Sequence, residues 1–257
     1  TYEKFRIDFG YNTSYNGSGT VNEVESWARD SDIISSAVHT ASTSTTTPGY
    51  ITCDGSNDCV HSWDEGSIQS NLNLSAAGGT TIMIWFKKHT AHNGTLFSIS
   101  DNTSSNALME INSLSGGAFQ INARDTSGNW QTRTTGTSDF PVNTWKCLVA
   151  NFDSYSGNKG TTQRIMCFKN HYDSSAQKWT AVADGSSSGS LSTVSFATET
   201  APYGIGCIPS SSSAGTNVFD GDIALIVIAR GLGSTYGSTT DAKLDGWIDS
   251  THEKMGL

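Results

Sequence analysis

"AFQINAR", residues 118–124, alternates without a break: Phe119, Ile121 and Ala123 fall on one side of an extended chain, Ala118, Gln120 and Asn122 on the other. Successive side chains of a strand point to opposite faces, so this period of two predicts a strand with one dry side and one wet side. Working outward, runs of the same size recur: "GYITC" (49–53), "CVHSW" (59–63), "TIMIWFKK" (81–88), "TLFSIS" (95–100), "ALMEIN" (107–112), "WQTRTT" (130–135), "WKCLVANF" (145–152), "QRIMCFKN" (163–170), "YGIGCI" (203–208) and "GDIALIVIA" (221–229). Between them stand "DGSN", "AHNG", "SLSGG", "DTSGN" and "SYSGNKG", whose Gly, Asn, Asp and Ser suit tight turns. Some eleven short antiparallel strands with no helical period between them predict an all-β fold of two stacked antiparallel sheets, a sandwich or jelly roll.

A chain of 257 residues can bury a substantial core, and all-β sandwiches of this length are commonly one domain. The expected division is an N-terminal arm over residues 1–20, "TYEKFRIDFGYNTSYNGSG" and Thr20, which docks on a partner, followed by a single domain over 21–257. The rhythm breaks near the C-terminus, where Leu244, Trp247, Ile248, Thr251 and Met255 recur at helical spacing after the cap residue Thr240 and before Gly256. A short C-terminal amphipathic helix against the sandwich is predicted there.

Composition excludes several functions. The net charge is −9, and the only adjacent basic pair, Lys87-Lys88, reads as a solvated strand end. Nucleic-acid binding relies on clustered Lys and Arg, so no nucleic-acid partner is expected. No apolar run approaches the ~20 residues of a membrane helix, so no membrane insertion is expected. No basic-then-apolar leader opens the chain, and export is not judged from it.

The cysteines number five, so at least one is free or paired between chains. Cys147, Cys167 and Cys207 sit in apolar strand-like runs and read as small buried hydrophobes. In "TCDGSNDCV" (52–60), read as a hairpin turning at Ser56, Cys53 and Cys59 face each other across neighbouring strands. A disulfide there is sterically allowed, and so are two free thiols. Asp54 and Asp58 flank the turn, where short carboxylates accept backbone N–H bonds.

Catalysis needs paired groups that the chain does not offer. The glutamates at 3, 23, 25, 65, 110, 199 and 253 make no Glu-x-Asp-x-x-Glu strand of the kind that sets two carboxyls ~5–5.5 Å apart on one face for a retaining glycosidase. No Gly-x-Ser-x-Gly or phosphate-cradling loop occurs. His61, His89 and His92 read as surface histidines. Catalytic residues are expected to be none.

Binding is carried better. Trp27, Trp85, Trp145 and Trp247 lie in apolar patterns and read as core, while Trp63, Trp130 and Trp179 stand in the polar settings "HSWDEG", "SGNWQT" and "QKWTAV". An indole face stacks on the apolar face of a sugar while amides and carboxylates bond its hydroxyls. Trp130 with Asn129, Gln131 and Arg133 forms the expected glycan platform, with Trp63 and Trp179 as further aromatic contacts. A rim tryptophan covering a sheet edge is the alternative.

The order "VNEVESWARDS" (21–31), "PGYITCDGSNDCV" (48–60), "TIMIWFKK", "NTWKCLVANFD" (143–153), "QRIMCFKNH" (163–171), "IGC" (205–207), "FDGDIALIVIARGL" (219–232) and "DAKLDGWIDSTHEKMGL" (241–257) resembles the concanavalin A-like lectin/glucanase superfamily. It is most similar to the laminin-G-like jelly-roll domains of that superfamily, over about residues 20–257. The chain departs from the pattern where Cys53 and Cys59 replace aromatics and where Leu225 replaces a common Glu. The resemblance implies an all-β jelly-roll sandwich and one structural Ca²⁺, for which Asp54 with Asp220 or Asp222 would be the ligands. The glucanase and lyase site patterns of the superfamily are missing.

The expected function is a non-enzymatic recognition or adhesion domain on a virus or phage virion, as a decoration, tail or fibre protein. Its expected partners are a polysaccharide or surface glycan and other virion or self subunits. A carbohydrate-binding module of a secreted polysaccharide-active protein is the first alternative, and a glycoside hydrolase or polysaccharide lyase the second. A virion-surface or extracellular location follows from these readings.

Overall fold

The computed structural model describes residues 3–8, 32–34, 38–40, 49–61, 80–100, 107–124, 130–137, 140–152, 165–168, 181–184, 202–209 and 215–230. Every regular element among them is a strand, and the strands form two antiparallel sheets. The predicted C-terminal helix lies outside the described residues.

Sheet 1 has the order β13-β12-β11-β6-β15-β4-β3. These strands are β13 (Ala181–Asp184), β12 (Ile165–Phe168), β11 (Lys146–Phe152), β6 (Thr80–Lys88), β15 (Asp220–Arg230), β4 (Tyr50–Asp54) and β3 (Val38–Thr40). Its centre is β15, which bonds to β6 along one edge from Gly221 to Arg230. Its other edge is shared: β4 takes Asp220 to Ile223, and β1 (Glu3–Asp8) takes Leu225 to Ala229. Residues 3–8 are therefore a strand and not part of a free arm, and Ile7 is fully buried in the core. The correction has a plain cause: the long β15 leaves half of an edge of N–H and C=O groups uncovered by β4, and backbone groups buried without partners are costly.

Sheet 2 has the order β10-β9-β8-β7-β14-β5-β2. Its strands are β10 (Trp130–Thr134), β9 (Phe119–Arg124), β8 (Ala107–Ser113), β7 (Gly94–Ser100), β14 (Tyr203–Ile205), β5 (Cys59–His61) and β2 (Asp32–Ile34). The stretch 52–60 is thus not a hairpin, because β4 belongs to sheet 1 and β5 to sheet 2. Residues 55–58 arch between the layers. A strand, a short polar turn and a second strand look alike in sequence whether the strands pair with each other or with two different sheets, and here both have better partners: β15 for β4 and β14 for β5.

The layers meet through the alternation read from the sequence. Phe119, Ile121 and Ala123 of β9 join Ile111 and Met109 of β8 and Phe97 and Ile99 of β7 from one side. Ile82, Ile84 and Phe86 of β6, Leu148 and Ala150 of β11, and Ile223, Ile226 and Ile228 of β15 oppose them. At one end the contact is aromatic. The Phe86 ring lies 4.8 Å from Phe119, 5.6 Å from Phe140 and 6.1 Å from Phe219, centroid to centroid, and Phe119 meets Phe140 edge-on at 5.1 Å.

The alternate face of sheet 1 is dry as well. Met83, Trp85, Cys147, Val149, Leu225 and Val227 are at most 1% exposed yet stand outside the inter-sheet cluster. The inner face carries a buried cation at the end near the arch. Lys88, read from sequence as solvated, is 2% exposed: it shares the parity of Phe86, its Nζ donates to the Gly117 carbonyl at 2.6 Å, and it stands 5.7 Å from the Phe119 ring. Burial lowers its pKa.

Phe86 touches three other rings between two sheets, whereas Val142 is 41% exposed. Phe86→Ala is expected to lower the unfolding free energy by about 3–5 kcal/mol, while Val142→Ala stays within about 0.5 kcal/mol. Urea titrations of the two variants measure both.

Candidate functional site

Directly paired residues of antiparallel strands share a face, and sheet 2 uses this to lay a row of polar side chains across itself. Thr132 pairs with Asn122, Asn122 with Glu110, Glu110 with Ser98 and Ser98 with Gly204. A second row runs beside it, in which Thr134 pairs with Gln120 and Gln120 with Asn112. These positions alternate with the core residues Ile111, Ile121 and Ala123, so the rows occupy the outer face of the sandwich.

The side chains are tied into one network. Thr132 Oγ1 donates to Asn122 Oδ1 at 2.9 Å, and Asn122 Nδ2 donates to Gln120 Oε1 at 3.2 Å and to Glu110 Oε2 at 3.3 Å. From the other side, Asn112 Nδ2 donates to the same Glu110 Oε2 at 2.7 Å. Asn112 Oδ1 in turn accepts from the fully buried Thr95 at 2.8 Å. Thr95 Oγ1 accepts from Asn217 Nδ2 at 2.7 Å. The network orients each amide, because every donor in it has a defined acceptor.

Two features bound this terrace. On one side, residues 207–209 fold over Gly204: a Cβ there would lie 2.3 Å from the Cys207 carbonyl oxygen and 2.9 Å from Pro209 Cδ, and Ser98 Oγ donates to that same carbonyl at 2.8 Å. On the other side is Trp130, which opens the edge strand β10 with the parity of Thr132 and Thr134 and is 37% exposed. An indole beside a bed of amides and hydroxyls is the chemistry that grips a polyhydroxylated ligand.

Of the residues of the expected platform, one has a described side chain. Trp130 is exposed, at the terrace edge. Gln131 and Arg133 alternate with it, and the register sets them against Ala123 and Ile121; their side chains, with Asn129, Trp63 and Trp179, lie outside the described residues. Glu110, Asn112, Gln120, Asn122 and Thr132 were not singled out from the sequence. Their signal was the polar phase of "ALMEIN", "AFQINAR" and "WQTRTT", which gains meaning only when the register sets the three side by side.

The carboxylates proposed for Ca²⁺ gather near the arch, each with partners of its own. Asp54 pairs with Asp220 across β4 and β15, yet Asp54 Oδ1 accepts the backbone N–H groups of Ser56, Asn57 and Asp58 at 2.8, 3.1 and 3.4 Å. Those bonds, the Ser56 one foremost, hold its pKa below the usual value. Asp220 accepts from Thr90 and faces His89 Nδ1 at 3.5 Å. Asp222, 2% exposed, takes Thr52 Oγ1 at 2.8 Å, Lys87 Nζ at 2.7 Å and His89 Nε2 at 3.1 Å. With these oxygens already taken by backbone N–H groups, Thr90, Thr52, Lys87 and His89, the residues do not fit a calcium site. Among the described residues no group of three or more His, Cys, Asp or Glu could hold a metal ion.

Beside them, Lys87 Nζ stands 5.4 Å from the Tyr50 ring and 5.3 Å from Trp145, and the two rings meet edge-on at 5.6 Å. Trp145 is therefore a half-buried residue of the outer face of sheet 1 rather than core. Trp85 is core-like in burial, and Trp27 and Trp247 lie outside the described residues. His89 and His92 are partly exposed, but His61, expected at the surface, is 6% exposed because it sits on β5 between β14 and β2.

Cys53 and Cys59 are free thiols, as are Cys147 and Cys207, and all four are buried. The bridge considered for Cys53 and Cys59 required neighbouring strands, whereas the arch puts them on different sheets. Cys59 instead meets Cys207: a Cβ at Gly215 would lie 2.5 Å from Cys207 Sγ and 2.9 Å from Cys59 Sγ, so only glycine leaves room for both sulfurs. Burial pushes the Cys53 and Cys207 thiols well above their ordinary pKa.

No protein-family model matches the chain, and no curated protein matches it in sequence. Solved structures do match it. A mutant of HCR/D superposes with a TM-score of 0.58 at 8% identity, over 97% of this chain and 52% of that one. The receptor-binding domain of botulinum neurotoxin type G gives 0.52 at 8% identity, over 98% and 52%. The chain thus spans about half the length of these two. The CBM40 of the Ruminococcus gnavus IT-sialidase, solved bound to alpha2,3 sialyllactose, gives 0.41 at 12% identity, over 67% of this chain and 83% of that one. At these identities the likeness is one of fold, an all-β sandwich.

The raised thiols have a consequence for stability. An unfolded chain releases thiol protons near pH 8.5 while native Cys53 and Cys207 stay protonated, so the stability they contribute is complete below that pH and is lost as pH rises beyond it. Lys88, whose pKa is lowered, acts with the opposite sign. Between pH 7 and pH 10 the urea midpoint of Cys53→Ala/Cys207→Ala is expected to fall less than that of the parent; equal falls would assign the loss to other groups.

Proposed function

We propose that this chain is a recognition module that binds a glycan on the outer face of sheet 2, without turning it over. One observation carries the reading: an exposed Trp130 borders a hydrogen-bonded bed of Thr132, Asn122, Gln120 and Glu110 on an otherwise rigid sheet. A sugar ring presents an apolar face to the indole and a rim of hydroxyls to amides already oriented by their neighbours, so little ordering is left for the moment of binding. The sequence resemblance to the concanavalin A-like superfamily supports the reading, and so does the sandwich fold shared with a toxin receptor-binding domain.

The acids support binding without hydrolysis. Glu110 is the one carboxylate of the terrace among the described residues, and glycoside hydrolysis by the usual route needs two flanking the scissile bond. The setting we propose is the surface of a virus or phage particle, with the free, buried thiols and turn-rich polar sequence in its support; detection of the chain in purified particles tests that setting separately from the binding.

A glycan array followed by calorimetry tests the function. The parent chain is expected to retain a defined set of saccharides, and Trp130→Ala to weaken the best of them by about 2 kcal/mol or more, about 30-fold in Kd, with an unchanged melting temperature. Release of reducing ends or unsaturated sugars from the bound saccharide would replace the binding reading with an enzymatic one.

A further inference from the structure

We infer that Cys59 and Cys207 are a reversible redox pair: a small peroxide joins their sulfurs in a disulfide that ties β5 to the segment folded over it. The pairing is independent of what the terrace binds.

The two cysteines stand far apart in the chain and are brought together by register. Gly204 pairs with His61 and Ile205 with Val60 in the antiparallel ladder of β14 and β5, so the chain runs on from Ile205 toward Cys207 where β5 runs back to Cys59. It bends at Gly206, whose φ of 76° suits glycine. The bend carries Cys207 over β5, with its Sγ 4.0 Å from the Val60 carbonyl oxygen. Gly215 then closes over both thiols. A Cβ built on it would meet Cys207 Sγ at 2.5 Å and Cys59 Sγ at 2.9 Å, so the two sulfurs crowd one small volume, and their side chains are hydrogen-bonded to each other. The other described thiols stand elsewhere: Cys53 Sγ packs against Gly206, and Cys147 lies outside the inter-sheet cluster.

The two sulfurs have different parts to play. The hydrogen bond with Cys207, joined by one from the Gly215 N–H, holds the Cys59 thiol below its ordinary pKa despite burial, whereas burial pushes Cys207 up. The thiolate is the nucleophile of thiol chemistry, so Cys59 attacks first. Its sulfur takes one peroxide oxygen, the O–O bond breaks, and the departing hydroxide leaves as water with the Cys59 proton. The Cys207 sulfur then attacks the Cys59 sulfenic acid; the S–O bond breaks, the S–S bond forms, and a second water leaves with the Cys207 proton. Two thiols lose two electrons and the peroxide gains them.

Both cysteines are 0% exposed, yet their cover is one backbone thick. Gly215 is buried while the next two residues, Thr216 and Asn217, are exposed. The cover is pinned to residues 207–209 by the paired N–H···O bonds of Ile208 and Thr216, at 2.9 and 3.0 Å. One such bridge opens without unfolding the sheets, and that opening admits a peroxide. Residues 207–209 also fold over Gly204 and take the Ser98 hydroxyl, so the disulfide fixes one wall of the terrace.

The test treats the folded full chain with hydrogen peroxide at neutral pH, unfolds it in urea with an alkylating agent, and maps the peptides by mass. Cleavage before Asp54 and Asp58 separates Cys53 from Cys59, so a cross-linked peptide names its partners. The treated chain is expected to take two fewer alkyl groups than the untreated one, to yield Cys59 linked to Cys207, and to recover both thiols in dithiothreitol. The amides of Ile208 and Thr216 are expected to exchange with solvent deuterium about tenfold more slowly once the link has formed. Cys207→Ala is expected to abolish the link and Cys53→Ala to leave it; should Cys207→Ala fail to fold, the peptide map of the parent and of Cys53→Ala still names the pair. Thiols untouched in the folded chain, a link through Cys53, or sulfinic acid at Cys59 without a link would overturn the pairing. Unchanged exchange at Ile208 and Thr216 in the linked chain would overturn the tie to the covering segment.

Discussion

The backbone of β15 has partners on both edges for most of its length, and its side chains are buried on both faces. Both facts follow from one constraint, that a strand inside a protein must pair its N–H and C=O groups with other strands. Eleven residues of "DGDIALIVIAR" are more than β4 can cover, so the chain's own beginning supplies β1 for the remainder. The middle of the sheet built around this strand is dry on both sides. Sheet 1 is committed to packing, and the polar surface on which a ligand can be met falls to sheet 2.

Sheet 2 shows how a binding face is made without loops. Its core side carries Phe97, Ile111 and Ile121, and its outer side carries the intervening amides and hydroxyls, so the positions that hold the core also hold the terrace in register. A one-residue slip between β8 and β9 would move both sets to the wrong faces. The cost of slipping is paid in hydrophobic burial, which is why the hydrogen bonds of the terrace can be weak singly and still be ordered.

Much of the fold is legible in the chain because alternation reports directly on burial. "AFQINAR" announces its dry and wet sides, and the strand runs, the two stacked layers and the exposure of Trp130 follow from patterns of this kind. What escaped depends on partners rather than on pattern. Residues 52–60 read the same as a hairpin or as an arch. Glu3–Asp8 gives no sign that β15 needs it. Lys88 looks solvated until the Gly117 carbonyl is placed over its ammonium. The terrace escaped for the same reason: Glu110, Asn122 and Thr132 are ordinary solvent-facing residues in their own strands, and they become a site only when register aligns them. Asp54, Asp220 and Asp222 erred in the other direction, since proximity brought them together but existing partners had already claimed their oxygens.

The arch at residues 55–58 also bears on how the chain assembles. It joins the two layers across a handful of residues, with three successive N–H groups folded onto the Asp54 carboxylate, so the entropy of closing that loop is small. The pairing of β4 with β15 spans about 170 positions, and without β15 the strands on its two sides have nothing to join them. The layers can thus be brought face to face early, by a local contact, while the larger sheet stays in two halves until β15 has been made.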